Sequence, residues 1–179
     1  MSNETLDQPF NTNKELSIKD NAIKFGVIGG LLGIIISLVL YFADLQFESW
    51  SKWLQTLIMI STIILGIKVI ADANKGKLIS FGGLFKAGMI ITIIVTIISI
   101  VYFLIYTNFI EIDFVGKVLE ESRKQMAEKG LSEEQIDQAL SMSKSFMSPG
   151  IMVVFSLIGS LIFGAIASVI GAAIFKNEK

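Results

Sequence analysis

Few side chains in this sequence could do covalent chemistry. There is no cysteine and no histidine. That removes thiol nucleophiles, disulfides, iron–sulfur ligation, the usual zinc donor sets and the side chain best suited to proton transfer near neutral pH. Arg123 is the only arginine and the net charge is −1, so nothing favours phosphate or nucleic-acid recognition. Acids gather in one segment: Glu111, Asp113, Glu120, Glu121, Glu128, Glu133, Glu134 and Asp137. Paired carboxylates could move protons or attract cations, but these lack calcium-loop spacing and no pocket is evident around them. A solvated face is expected. The stretch from Gly82 to Gly88 superficially suggests a phosphate loop, yet it lacks the Gly-Lys-Ser/Thr ending and a preceding strand. A tight turn is expected instead, with Ser80 capping a helix whose Phe81 and Phe85 face lipid. Near lipid, Tyr102, Tyr106 and Lys68 stand out as reactive groups, and no spacing joins them into a constellation. The expectation is a protein that is not an enzyme, with no catalytic residue, cofactor or metal site.

Two quieter patterns concern packing and permeation. Thr92, Thr96 and Ser99 fall on one helical face and could line a polar path, or simply bond to their own helix or a neighbour. Ser156, Ser160, Gly164, Ser168 and Ala172 place a small residue at every fourth position. Gly26 with Gly30, and Gly29 with Gly33, form overlapping small-x-x-x-small pairs. Such faces let helix backbones approach closely where no hydrophobic force separates helix from lipid. They suit either packing of the first apolar stretch on the last, or a homo-oligomer interface.

The elements that carry these residues are membrane spans. Hydrophobic residues make up 53% of the chain and charged residues 17%, against about a quarter charged in soluble domains. Residues 25–43, 87–110 and 149–175 contain no charge, and each is long enough for a hydrocarbon core that needs about 20 helical residues. A fourth stretch, 53–71, contains Lys68 near its end. The Leu, Ile and Val residues around it contribute roughly −0.3 to −0.6 kcal/mol each, and a terminal lysine costs less than the ~3 kcal/mol of a central one. Its amine can snorkel, so insertion wins. Long Ile- and Thr-rich runs in lipid must be helices, because the backbone has no other hydrogen-bond partner. Trp50 and Trp53 suit an interfacial aromatic belt.

The expected fold is an all-α integral membrane protein: a four-transmembrane-helix bundle over residues 25–176, with a helical hairpin at 113–148 between spans three and four. Residues 1–24 read as a flexible polar tail and 177–179 as a short one. In the hairpin, Asp113 would cap a first helix running to about Lys129, with Gly130 as its stop. Ser132-Glu133-Glu134-Gln135 is a capping box that opens the second helix. The hairpin could bind a partner, gate the bundle, or merely connect the spans. One side of the membrane would carry Lys14, Lys19, Lys24, Lys68, Lys75, Lys77, Lys86, Lys176 and Lys179. The other would carry Lys52, Lys117, Arg123, Lys124, Lys129 and Lys144. The positive-inside rule then puts both termini in the cytoplasm of a bacterial inner membrane, with the hairpin extracytoplasmic.

A family resemblance runs through several segments in order. They are the glycines from Gly26 to Gly33; Ile79-Ser80-Phe81-Gly82-Gly83-Leu84-Phe85-Lys86-Ala87-Gly88; and Asn108-Phe109-Ile110-Glu111-Ile112-Asp113-Phe114. Gly130-Leu131-Ser132-Glu133-Glu134-Gln135-Ile136 and Phe146-Met147-Ser148-Pro149-Gly150 follow. Over about residues 20–176 the chain resembles the membrane-protein family known as domain of unknown function 4199, found mainly in Bacteroidetes. The family pattern carries an acid where this chain has Gly83. The resemblance implies architecture and an inner-membrane location, and no activity.

No Asp, Glu or Arg lies inside a span, which disfavours proton-coupled transport. The leading expectation is a non-enzymatic accessory, scaffold or assembly factor, with the lipid bilayer and a membrane-protein partner or second copy around it. The alternative is a small channel or transporter formed by an oligomer.

Overall fold

The computed structural model describes residues 18–74 and 78–177. The elements are α1 (Ile18–Phe42), α2 (Ser49–Ala73), α3 (Phe81–Ile105), a π-helical turn (Tyr106–Ile110), α4 (Phe114–Glu128), α5 (Glu133–Phe146) and α6 (Pro149–Phe175). The described residues contain no strand, only an isolated bridge between Ile79 and Asn177 that ties the α2–α3 connection to the end of α6. α1, α2, α3 with its π turn, and α6 are each long and apolar enough to cross a membrane. They expose Ile28, Leu31, Ile35 and Val39 on α1, Ile93 and Ile97 on α3, and Phe155, Ile158 and Ile162 on α6. An apolar exterior on every long helix is that of a multi-pass membrane bundle.

The first helix begins earlier than the apolar run alone suggests. Residues 18–24, expected as part of a flexible tail, are helical. The reason is packing. Ile18, Ala22 and Phe25 recur at helical spacing, Ala22 is fully buried, and Ile18 and Phe25 pack against the core. The rest of the expected tail, residues 1–17, and residues 178–179 lie outside the described part. α2 likewise starts at Ser49 rather than 53, because Ser51 is buried with its hydroxyl donating to Leu45 O at 2.5 Å. Between α1 and α2 the chain reverses through Asp44 at φ 56, and Leu45 N–H bonds back to Leu40 O at 2.9 Å. This is the left-handed helix stop in which a short polar residue replaces glycine.

The helices run up and down in turn. α3 packs on α1 and α6, α2 packs on α1 and α6, and α2 meets α3 across the short diagonal. α1 and α6 occupy opposite corners and share no packed face. The expected pairing of spans one and four is therefore corrected: the small residues of each receive bulk from the helices between them. A methyl group added at Gly26 would fall 2.7 Å from Ile94 Cβ, and one at Gly30 2.7 Å from Ile98 Cδ1, both on α3. Gly29 receives Thr62 of α2. On α6, Gly164 receives Thr92 and Gly171 receives Ile67. Gly88 of α3 in turn receives Ser168. Two small-x-x-x-small pairs, Gly88/Thr92 and Gly164/Ser168, thus mesh reciprocally between antiparallel helices.

The core sits in the half of the bundle near the α2–α3 connection. Ile63, Ile67, Ile70, Leu84, Ala87, Ile91 and Ala172 are buried there, and Phe81 and Phe85 pack against them in a stack at 6.2 Å. Those two rings were expected on the lipid side; they turn inward because the core they pack against includes Ile79, just before the helix. Ser80 caps α3 as expected, accepting from Gly83 N–H at 3.1 Å. Position 83 is the third helical residue, where an acid would complete a capping box with Ser80. An added Cβ there meets nothing closer than Ser80 Oγ at 3.4 Å. Gly83→Glu is therefore expected to stabilise the protein by about 1 kcal/mol, read as a higher unfolding midpoint in detergent.

Candidate functional site

The other half of the bundle, beneath the α4–α5 hairpin, is not filled. A cavity of about 420 Å³ opens among all four spans and is roofed by α4. Its walls are Gly33, Ile34 and Ser37 of α1, Lys52 and Gln55 of α2, Ser99, Ile100, Tyr102 and Tyr106 of α3 and its π turn, and Met152, Val153 and Ser156 of α6. Gln46 and Phe47 enter from the α1–α2 turn. The roof is Phe114, Val118, Glu121, Ser122 and Gln125. Ser99 lies roughly 16 Å of helix below the end of the π turn, so the cavity reaches well into the span.

The π turn shapes this end. Glu111 N–H bonds to Tyr106 O at 2.8 Å, one residue wider than an α turn. That widening carries Tyr106 inward, where it is 6% exposed, and brings Glu111 inward too, also 6% exposed. Glu111, expected on a solvated face, instead receives Lys117 Nζ at 2.5 Å. The bond raises the Lys117 pKa above its ordinary 10.5. The pair's contribution is therefore fully present below that ordinary value and is lost only as pH climbs through the higher folded one.

The hairpin is fixed to the bundle by rings. Phe114 packs on Phe47 at 5.8 Å, Phe103 at 5.6 Å and Tyr106 at 5.9 Å. Tyr106 also meets Tyr41 at 5.7 Å and Tyr102 at 5.8 Å. Above this cluster α4 and α5 zip together around buried Ile136. Arg123 of α4 bonds Glu133 at 2.7 Å and also Asp137, and these partners hold its pKa above the usual arginine value. The expected capping box is present: Gln135 N–H donates to Ser132 Oγ at 3.3 Å, and Gln135 Oε1 accepts from Ser132 N–H at 3.0 Å. Gly130 ends α4's turn at φ 79. Asp113 precedes α4 but makes no side-chain cap, because its backbone (φ −95, ψ 33) is not the extended one from which a capping side chain reaches the first turn.

The residues singled out from the sequence divide between the two halves. Gly26, Gly29, Gly30, Gly164, Ser168 and Ala172 are buried in helix contacts. Gly33 and Ser156 line the cavity instead, and Ser160 bonds Ser156 O at 2.7 Å on its own helix. Thr92 is fully buried and donates to Gly88 O at 2.9 Å, whereas Ser99 faces the cavity. Thr96, between them, is buried with no hydrogen-bond partner for its hydroxyl. The three therefore belong to a packed seam, a lone buried hydroxyl and a cavity wall.

The same is true of three further buried polar atoms: Gln46 Oε1, Tyr102 OH and Tyr106 OH have no partner among the described residues. All three residues line the cavity. Such atoms carry a desolvation penalty of about 1–3 kcal/mol unless something enters to bond them. Sequence reading had Tyr102 and Tyr106 as isolated reactive groups. Their spacing of four, which puts both on one helix face, was the available signal. Gln46, in a turn between spans, gave none. Among the described residues no cluster of acids could hold a metal ion, and the arrangement is one of hydrogen-bond donors, acceptors and aromatic faces around an apolar-floored space.

No curated protein and no solved structure matches the chain. A family model described as "Protein of unknown function (DUF4199)" matches residues 24–177, which takes in every span, the hairpin and the cavity between them. The chain belongs to that family.

Proposed function

We propose that this protein is a non-enzymatic binding accessory of the bacterial inner membrane, with both termini cytoplasmic and the α4–α5 hairpin outside. The observation that carries this reading is the hairpin-roofed cavity, whose unpartnered hydroxyl and amide groups suit recognition and whose lining offers no nucleophile paired with a base. Bound there, a small amphipathic molecule would couple the hairpin to the spans through the Phe114 ring cluster. A partner protein would read the hairpin's exposed face, where Met142 and Phe146 are uncovered.

The absence of cysteine gives a direct test of sidedness. Ser132→Cys should react with a membrane-impermeant maleimide in intact spheroplasts, and Leu78→Cys only after the membrane is opened. The reverse pattern would invert the proposed orientation. Cross-linking in native membranes then tests the accessory role: a hairpin that captures no partner, not even a second copy, would count against it.

The channel reading stays second, carried by Ser99 on the cavity wall and the unpartnered Thr96 below it. Within one chain the cavity ends on the packed half, where Ile63, Ile67 and Ile91 are fully buried. Liposome flux unchanged by Thr96→Ala and Ser99→Ala would remove it.

A further inference from the structure

We infer that the cavity seats one lipid with an uncharged, hydroxyl-bearing headgroup, a glyceride or a glycolipid, drawn from the leaflet on the hairpin side. This rests on the reading of the protein as a binding accessory and specifies what it binds.

The unpartnered atoms define the headgroup. Gln46 Oε1 only accepts hydrogen bonds, while Tyr102 OH and Tyr106 OH each donate and accept. A ligand that meets all three must itself donate as well as accept. Hydroxyl groups do both. A phosphodiester with no hydroxyl beyond it only accepts, and would leave the Gln46 oxygen unmet; phosphatidylglycerol, which carries hydroxyls as well, is disfavoured by its charge alone. Tyr106 is 6% exposed, so bulk water does not supply the missing partner of its hydroxyl.

Charge points the same way. Among the described residues, Lys52 and Glu121, one of each sign, are the only ionisable ones on the lining besides the tyrosines, and no arginine is present. An anionic headgroup would enter a low-dielectric recess without net compensation. A neutral one incurs no such penalty. The faces and edges of Tyr102, Tyr106 and Phe114 give the C–H surface of a glycerol or sugar ring something to pack on.

The remaining lining accounts for the rest of the molecule. Ile34 and Ile100 supply apolar wall deeper in the bundle, and Val153 supplies it nearer the hairpin. Gln55 of α2 and Ser156 of α6 line the cavity and are also exposed, which makes the gap between those helices the route by which a chain passes to the bilayer. The close α2–α6 contact at Ile67 and Gly171 lies in the opposite half and leaves that route open. A recess of about 420 Å³ falls within the ordinary range of ligand sites and suits a headgroup with the first part of one chain.

The test is native mass spectrometry of the full-length protein released from detergent with three lipids in competition: a monoacylglycerol, a monoglucosyl diacylglycerol and phosphatidylglycerol. One of the uncharged lipids should be retained at least about tenfold over phosphatidylglycerol, and which one it is distinguishes glyceride from glycolipid. Tyr106→Phe and Gln46→Leu should each reduce that retention by about tenfold while leaving the thermal midpoint unchanged or raised. Equal or stronger retention of phosphatidylglycerol would overturn the headgroup class and leave the binding reading standing. Retention insensitive to both substitutions would place the lipid on the outside of the bundle and overturn the site. No retention of any lipid would sink the binding reading itself.

Discussion

Gly164→Val should destabilise the bundle by about 3 kcal/mol, while Gly33→Val and Gly159→Val should change it by less than about 1 kcal/mol. All three are helical glycines, so the change in intrinsic propensity is similar. They differ in what a side chain would meet. At Gly164 an added Cβ collides with Thr92, whose hydroxyl is held on Gly88 O and whose methyl has nowhere to turn. At Gly33 and Gly159 there is nothing within 4 Å. In lipid, apolar transfer contributes nothing to separating or joining helices, so close packing carries the association and its loss is felt in full. The reciprocal contact of Ser168 on Gly88 would be prised apart by the same displacement. Unfolding titrated with a denaturing detergent, followed by helical circular dichroism, measures the difference. An equal loss at Gly159, which lies outside both the packed seam and the cavity lining, would show that its face is covered by a second copy of the chain.

Phe114→Ala should release the hairpin from the bundle at a cost of about 2–3 kcal/mol. Phe114 is the only α4 ring, and it contacts three others contributed by the α1–α2 turn and the end of span three. Each aromatic pair contributes about 0.5–1.5 kcal/mol beyond the area it buries. No residue of α4 is fully buried, so little besides these ring contacts holds that helix down. The Glu111–Lys117 pair remains, but its lysine is half exposed. Hydrogen exchange should therefore rise across α4 and α5 while the packed half of α2, α3 and α6 keeps its protection. If exchange rose uniformly, the hairpin and the spans would form one cooperative unit, and the hairpin would not be a separately movable roof. Because Phe114 and Tyr106 both line the cavity, the same substitution should also weaken retention of any cavity ligand.

Much of the architecture was legible in the chain. The four spans follow from uninterrupted apolar length, because only a helix satisfies its own backbone in lipid. The stretch around Lys68 forms a helix long and apolar enough to cross a membrane, and the Ser132–Gln135 box and the Gly130 stop are local chemistry that needs no tertiary partner. Helix starts were less legible where neighbours decide them, as at Ile18, whose helix is held by core contacts rather than by hydropathy.

Pairing was the point at which the residues ran out. Small-residue faces on α1 and α6 announce close contacts but carry no address. Gly26 and Gly30 accept Ile94 and Ile98, and Gly164 accepts Thr92, only because the up-down order of the helices puts α3 between those two corners. Tyr106 could be seen to share a face with Tyr102, but not that a π turn would press it inward. Nor could the sequence show that the same turn would bury Glu111 among groups that looked solvated. The chain's chemistry, lacking cysteine and histidine and with its hydroxyls in the spans, determined what kinds of site are open to it. Where those hydroxyls meet, and that Gln46 joins them beneath the hairpin, was decided by tertiary structure alone. The physical reason is that a cavity is a property of how several helices fail to close, and no single helix encodes it.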